Sequence, residues 1–219
     1  MRRRHFLARL GASAALGYVP LGLAARARAD VRCRDLPATP TSPPGRVCMS
    51  GLPSELIHVE ARQERSQWCW AACVSMVFGY HGHPTSQERI VEEAYGSLLN
   101  MPAAPATLLA ALNRDWVDDE GRRFRSISSP GTTNVVYAAQ DLARNQPLIL
   151  GTHGHAVVLT ALEYAAPYLA TPWGPQLGTP AITEAIVRDP WPGRGRRDLT
   201  LDEWNSIVFA AQIRVQEFD

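Results

Sequence analysis

The sequence has almost no net charge, no internal repeat, no low-complexity tract and no apolar run long enough to cross a membrane. Its 219 residues include 22 Lys and Arg against 21 Asp and Glu, a formal charge of +1. Such a chain has no electrostatic attraction for nucleic acid, so no nucleic-acid partner is expected. A hydrophobic content of 46% argues against disorder of the whole chain. The length suggests one domain, or two small lobes that share a cleft.

The N-terminus has the features of an export signal. A basic segment at residues 1–7 precedes a modestly apolar stretch at 10–23, and Ala27-Arg28-Ala29 offers a cleavage site before Asp30. The paired arginines resemble a twin-arginine signal, with a Sec signal as the alternative. A membrane anchor would need roughly 20 apolar residues, more than this stretch has. We expect the export machinery to act on residues 1–29, giving a periplasmic or secreted protein without a stable membrane span.

Removal of this leader would make the protein mildly acidic. Six arginines and no acidic residue precede Asp30, so the formal charge falls by six, from +1 to −5. Three later arginines, Arg194, Arg196 and Arg197, lie in a Gly- and Pro-rich segment. We expect them to be solvated rather than to form a phosphate site.

Cysteines are few, and two of the four suit an oxidising compartment. Cys33 and Cys48 flank a Pro-rich stretch, and residues 30–53 are predicted to form an extended N-terminal arm outside any helix or strand. In a periplasm the two thiols could form a disulfide that closes a loop of about 15 residues. Cys69 and Cys73 share another segment and need a separate explanation.

Apolar periodicity predicts helices first and strands afterwards. The helices are predicted at residues 68–80, 86–94, 106–113 and 134–144. The strands are predicted at residues 147–151, 155–164, 181–189 and 206–215, with a helical turn at 201–204. This order predicts an α+β fold in which an N-terminal helical lobe packs on a C-terminal antiparallel β-sheet lobe. A cleft between the lobes would be a natural site.

Cys69 stands where a polar segment meets the first predicted helix, which is apolar nearly all round. A helix N-terminus stabilises a thiolate, whereas Cys73, one turn further, should be buried away from water. Both residues could instead be core thiols. A zinc site is poorly supported because no second ligand pair lies nearby, and a disulfide between positions i and i+4 of one helix has poor geometry.

The run Gln67-Trp68-Cys69-Trp70-Ala71-Ala72-Cys73 resembles the active-site segment of papain-like cysteine peptidases, in which the nucleophile opens a long buried helix. The resemblance implies that Cys69 is the nucleophile and that the glutamine six residues earlier, Gln63, supplies the side-chain donor of the oxyanion hole. Gln67 is the competing candidate for that donor.

The pattern is most similar to the compact bacterial branch of these enzymes. This branch includes the bacteriocin-leader-processing type and the effector proteases of plant-associated bacteria. Two features depart from plant papain: Ser66 stands where papain has a structural cysteine, and the candidate histidine follows Cys69 at a shorter spacing. Both departures suit a minimal catalytic core, here residues 54–219.

The resemblance also implies a histidine base and a residue that orients it. His155 follows a glycine at the start of a predicted strand, as in the Gly-His-Ala-Val pattern of the family, while His153 is expected in the loop. His58 lies in the N-terminal region. His81 and His83 follow the first helix and are expected to face water.

The orienting residue is expected to be Asp189, which is followed by Pro190 and resembles the Asp-Pro of the compact branch. Asp198 and Asn205 are weaker alternatives for the orienting residue. A further interpretation is that Asp189-Pro190 only terminates a strand.

These residues lead to the hypothesis of thiol-mediated hydrolysis of peptide or isopeptide bonds in a peptide or protein substrate, without a metal or organic cofactor. Cys69 would attack, His155 would act as base and then acid, Asp189 would orient the ring and Gln63 would bind the oxyanion. An amidase or cell-wall peptide hydrolase with the same triad, and an inactive peptide-binding module, are the alternatives.

Overall fold

The structure, a computed structural model, describes residues 31–53 and 62–218. The expected leader, its cleavage point at Asp30 and His58 lie outside the described residues. Within them the helices are α1 (Cys69–Tyr80), α2 (Gln87–Tyr95), α3 (Pro105–Leu112), α4 (Val135–Ala143) and α5 (Leu201–Asn205). The strands are β1 (Arg32–Leu36), β2 (Gly45–Gly51), β3 (Arg114–Val117), β4 (Arg123–Pro130), β5 (Leu148–Thr152), β6 (His155–Thr171), β7 (Gly174–Leu177), β8 (Ala181–Asp189), β9 (Gly195–Asp198) and β10 (Ile207–Glu217).

The strands form one antiparallel sheet organised around β6. Its main order is β1-β2-β6-β5-β10-β4-β3, while β7 and β8 also pair with β6 and β9 pairs with β8. The 17-residue strand β6 therefore pairs with four others, β2, β5, β7 and β8. The prediction of an α+β fold with a mainly antiparallel sheet is confirmed.

Both faces of the central sheet are buried. Ile149 and Val158 belong to a core that includes α1, α2 and α3, whereas their neighbours Leu148, Leu150 and Leu159 belong to a second core with α4. Successive side chains of a strand point to opposite faces, so a strand covered on both sides has a continuous apolar run. The short apolar runs of β5 and β6 have this origin.

Helix α1 is buried on almost every side, as its composition predicted. Its residues from Trp70 to Val74 are at most 3% exposed. The indole N–H groups of Trp68 and Trp70 donate to the carbonyl oxygens of Leu99 and Met101, at 2.8 and 3.0 Å. Helix α1 packs against β6, and Cys69 at the start of the helix borders the same cavity as His155 and Ala156 at the start of that strand.

The expected separation of helices from strands along the chain is wrong. Residues 32–36 and 45–51 of the predicted arm are strands β1 and β2, and β2 pairs with β6 over seven residues. Strands β3 and β4 lie between α3 and α4. Two of the inward residues of β4, Ser126 and Ser128, are serines, so that strand has no apolar alternation to reveal it.

The described residues contain no helix that is long and apolar enough to span a bilayer.

The predicted Cys33–Cys48 disulfide is present, and it joins directly opposed residues of β1 and β2. The two cysteines are 15 residues apart, a loop whose closure contributes about 3 kcal/mol in the chain-entropy model.

We expect the Cys33→Ser/Cys48→Ser variant to melt about 6–12 °C below the oxidised wild type. Differential scanning calorimetry measures the difference. Dithiothreitol should lower the wild-type Tm to that of the variant and leave the variant unchanged; equal melting temperatures before reduction would contradict the prediction.

Candidate active site

Cys69 is the first residue of α1, where helix N–H groups lack partners within the helix. The half-buried thiol borders two cavities together with His155, and hydrogen bonding from the His155 side chain and from the backbone of Ala156 and Trp70 acts on its pKa. Burial alone would raise the pKa of the thiol. The hydrogen bonds and the charge of His155 outweigh that effect, so the pKa of Cys69 lies below its ordinary value.

His155 opens β6, and Asp189 closes β8, the antiparallel neighbour of β6. The ring Nε2 and the Oδ1 of Asp189 are 2.7 Å apart, and the carboxylate is fully buried. With Nε2 bonded to Asp189, Nδ1 is the ring nitrogen left for the thiol. The Trp191 ring stands edge-on to the imidazole, 5.9 Å between centroids. The imidazole thus lies between the thiol and the carboxylate, with the Trp191 ring next to it.

The charges of these groups support one another. Burial alone would lower the pKa of His155, but hydrogen bonds and charge attraction from Asp189 and Cys69 raise it to about 9. Burial would raise the pKa of Asp189, yet its bonds from His155, the Trp191 N–H and Arg197 hold that pKa well below its usual range. The shifts favour a thiolate and an imidazolium next to an ionised carboxylate.

Cys73 lies one turn further along α1 and is fully buried. Burial and the negative charge expected at Cys69 raise the pKa of its thiol well above the ordinary value. Because the thiolate is the nucleophilic form, this residue is unsuited to attack.

Two other described histidines, His153 and His83, occupy different surroundings. His153 has a left-handed backbone (φ 49°), and its Nε2 lies 3.0 Å from the hydroxyl of Ser206 rather than near Asp189. The expectation that His83 faces water is wrong: its ring is 4% exposed, stacks on Phe124 and pairs with Asp118 at 3.1 Å. His155 is therefore the histidine that the fold brings to Cys69.

The weaker candidates for the orienting residue lie elsewhere. Asp198 is at the end of β9, opposite Ile186, and Asn205 is the last residue of α5. Neither has a described hydrogen bond to His155, whereas Asp189 has one.

The two candidate oxyanion glutamines differ in burial. Gln63 is 8% exposed, and its Nε2 donates to the carbonyl oxygens of Arg65 and Ser66, each at 3.1 Å. Its backbone N–H donates to the carbonyl of Pro190 at 2.9 Å, so the residue is held beside the segment that follows Asp189. Gln67 is exposed and lines the cleft at Cys69.

Sequence reasoning missed Arg197, which was expected to be solvated with its neighbours. Its side chain is only 20% exposed and bridges Asp189 to Glu203. A hairpin around Gly193–Gly195 places β9 against β8 and turns this arginine inward. The Thr-x-x-Glu pattern that ends at Glu203 is a capping-box signature, and it could have located the helix that supplies the partner carboxylate.

Two cavities meet at Cys69 and His155. One, of about 500 Å³, is bordered by polar residues such as Gln67, His153 and Arg194. The other, of about 220 Å³, has mainly apolar walls, including Trp70, Leu108 and Phe209. A peptide bound across Cys69 would have one side in the polar cavity and the other side in the apolar cavity.

Two solved structures resemble the fold at low sequence identity. The peptidase domain of Streptococcus ComA, a bi-functional ABC transporter involved in quorum sensing, matches with TM-score 0.45 and 14% identity, covering 74% of this chain and 100% of that one. UfSP from C. elegans matches with TM-score 0.41 and 13% identity, covering 82% of this chain and 34% of that one. No curated protein sequence matches significantly.

A family match covers most of the chain. The model of the papain-like cysteine protease AvrRpt2 family matches residues 54–208. This range contains Gln63, Cys69, His155 and Asp189 and the strands β3 to β9. The chain belongs to the AvrRpt2 family of papain-like cysteine proteases and is a cysteine-type peptidase.

Proposed function

We propose that this peptidase hydrolyses peptide bonds with Cys69 as the nucleophile, His155 as the general base and acid, and Asp189 as the group that orients the ring. The observation that carries the proposal is that His155 shares two cavities with Cys69 and is bonded at 2.7 Å to the buried Asp189 carboxylate, with the pKa of the thiol lowered and that of the imidazole raised. An imidazole beside a thiol and oriented by a carboxylate is the arrangement of an activated nucleophile.

The reaction would proceed in two halves. The Cys69 thiolate attacks the scissile carbonyl carbon, and the resulting oxyanion collapses as the C–N bond breaks and the His155 imidazolium protonates the departing amine. The neutral imidazole then takes a proton from water, which attacks the thioester. The C–S bond breaks, releasing the carboxylic acid product and restoring the thiolate–imidazolium pair.

The oxyanion would be bound by the backbone N–H of Cys69 and the side-chain amide of Gln63. The first N–H groups of a helix have no partner within it, so the Cys69 N–H suits this role. The Gln63 amide nitrogen carries two hydrogens and is held by the carbonyls of Arg65 and Ser66. Binding the oxyanion would replace one of these two contacts.

The apolar cavity beside Cys69 supports a substrate with an apolar side chain near the scissile bond. Its volume of about 220 Å³ suits a single large side chain rather than a longer segment. Leu108, 3% exposed, forms part of its wall. Burial of one apolar side chain contributes about 1.5–3 kcal/mol, enough to select among peptides.

We also propose that the protein is exported and that residues 1–29 are removed, leaving residues 30–53 and a peptidase domain at 54–219. The Cys33–Cys48 disulfide supports this proposal, because disulfides persist in oxidising compartments such as the bacterial periplasm.

Loss of Cys69 should abolish the activity. We expect Cys69→Ser to lose hydrolysis of casein and labelling by an epoxide thiol probe, whereas Cys73→Ser keeps both because its thiol is fully buried. Gel-based hydrolysis and mass spectrometry of the labelled peptide measure the outcome. Hydrolysis of cell-wall peptide fragments in preference to casein would identify an amidase-type substrate, and labelling at Cys73 would overturn the assignment.

The basic limb of the pH profile should report His155. Activity needs the imidazolium proton for the leaving amine, so kcat/KM should fall as the pH rises through about 9, the raised pKa of His155. Asp189→Asn removes the negative charge that raises this pKa, so the limb should move to lower pH while kcat falls. Asp198→Asn is the control and should leave the limb in place. A basic limb that Asp189→Asn leaves unmoved would contradict the proposed triad.

Gln63→Ala should lower kcat about 10²- to 10³-fold, because an oxyanion donor acts mainly in the transition state. Alkylation of Cys69 by iodoacetamide forms no oxyanion, so its rate should stay within a few-fold of wild type. Steady-state kinetics and alkylation rates together separate this effect from misfolding. Gln67→Ala is the matched control, with kcat near the wild-type value; a larger loss in Gln67→Ala would assign the donor to Gln67 instead.

A further inference from the structure

The Asp189 carboxylate is held on both oxygens. Oδ1 accepts from His155 Nε2 at 2.7 Å and from the Trp191 N–H at 2.9 Å. Oδ2 accepts from Arg197 Nε at 2.8 Å and from Arg194 Nη1 at 3.4 Å. The Arg194 side chain is 53% exposed against 20% for Arg197, so Arg197 makes the shorter and better protected contact.

Arg197 is itself fixed at its far end. Its Nη1 and Nη2 donate to Oε2 and Oε1 of Glu203 at 2.9 and 2.7 Å, and Nη1 also donates to the carbonyl of Asp198 at 3.0 Å. Two parallel bonds of this kind set the plane of the guanidinium as well as its position. Arg197 therefore presents Nε to Asp189 in one orientation.

Glu203, in α5, connects this pair to the end of β5, next to His155. Its carboxylate accepts from the Thr200 N–H at 2.8 Å, and its N–H donates to the Thr200 hydroxyl at 3.2 Å, forming a capping box. Its carbonyl oxygen accepts from the hydroxyl of Thr152 at 2.8 Å. Thr152 is the last residue of β5 and is paired with His155. One short helix thus anchors both sides of the His155–Asp189 bond.

We propose that Arg197, braced by Glu203, is a positioning residue that holds the Asp189 carboxylate in the orientation that directs Oδ1 to His155. The inference rests on the proposed catalytic roles of Cys69, His155 and Asp189. Without Arg197, Oδ2 would keep only the longer Arg194 contact, and rotation of the carboxylate about its Cβ–Cγ bond would be resisted mainly by the Trp191 N–H on Oδ1. The imidazole would then be held less firmly in its orientation toward the thiol.

Arg197→Gln should lower kcat about 10- to 100-fold with KM within twofold, because misdirected catalytic groups slow the chemical step more than binding. The matched control is Arg196→Gln, which removes the same charge from the preceding, exposed residue of β9 and should leave kcat within twofold. Arg197→Lys keeps the charge without the planar fork and should recover part of the loss. All kinetics are measured well below the Tm of each variant.

The pH profile separates positioning from a general loss of folded protein. The titratable and charged groups that face the His155–Asp189 pair are Cys69 and the neutral thiol of Cys73 on α1, and Arg194 and Arg197 on the β8–β9 hairpin. Arg197→Gln removes a cation and leaves the negative charge of Glu203 without its partner. Both changes favour the protonated imidazole, so the pKa of His155 should rise. The basic limb of kcat/KM should therefore move to higher pH in Arg197→Gln, opposite to Asp189→Asn, and stay in place in Arg197→Lys.

Chemical rescue gives a second measurement that does not depend on the Gln variant. Guanidinium chloride at millimolar concentration should restore part of the activity of Arg197→Ala and none to Arg196→Gln or wild type. A wild-type kcat in Arg197→Gln would overturn the inference. An unmoved basic limb in Arg197→Gln together with no rescue of Arg197→Ala would also overturn it. Epoxide labelling of wild-type Cys69 is scored separately, and its absence would count against the proposed function rather than against the role of Arg197.

Discussion

The hydrogen bond between His155 Nε2 and Asp189 Oδ1, at 2.7 Å, is the contact on which the candidate site depends. It joins two neighbouring antiparallel strands at their ends, so the pairing of β6 with β8 fixes the separation of base and acid. A buried carboxylate must be ionised and paired or be protonated. Here the pairing also fixes the ring and leaves its second nitrogen for Cys69. One bond thereby sets the geometry and the charge of the site.

A sheet that is covered on both faces makes that geometry rigid. The cores on either side hold β5 and β6 between α1 and α4, and the groups of the proposed triad stand where elements begin or end. Cys69 opens α1, His155 opens β6 and Asp189 closes β8. Their backbones are held by regular structure while their side chains reach the cleft. Precise placement and access to substrate are thus achieved together.

The parts of the molecule that the sequence made predictable are those with apolar runs. Apolar composition, together with the Gly and Pro residues that end helices and strands, located three elements. These are the buried helix at Cys69, the strand that begins at His155 and the strand that ends at Asp189. Strand β4 was not predicted from the sequence, because Ser126 and Ser128 occupy inward positions where apolar residues would be expected and form hydrogen bonds with other polar groups there. The sequence also placed Gln63 near Cys69, but not its bonds to two backbone carbonyls, which depend on how the preceding turn folds.

Arg197 illustrates why local composition is a poor guide to charged residues. Three arginines within four positions suggest a solvated loop, yet strand alternation in β9 exposes Arg196 and turns Arg197 inward. The charges of the site explain why a cation is useful there. A thiolate and a carboxylate share a single imidazolium, so one negative charge would remain in a partly buried space. Arg197 and the more exposed Arg194 both place positive charge at Asp189, and Glu203, itself an anion, fixes the direction of Arg197. In this protein the cation beside the buried Asp189 comes from β9, the strand that pairs with β8.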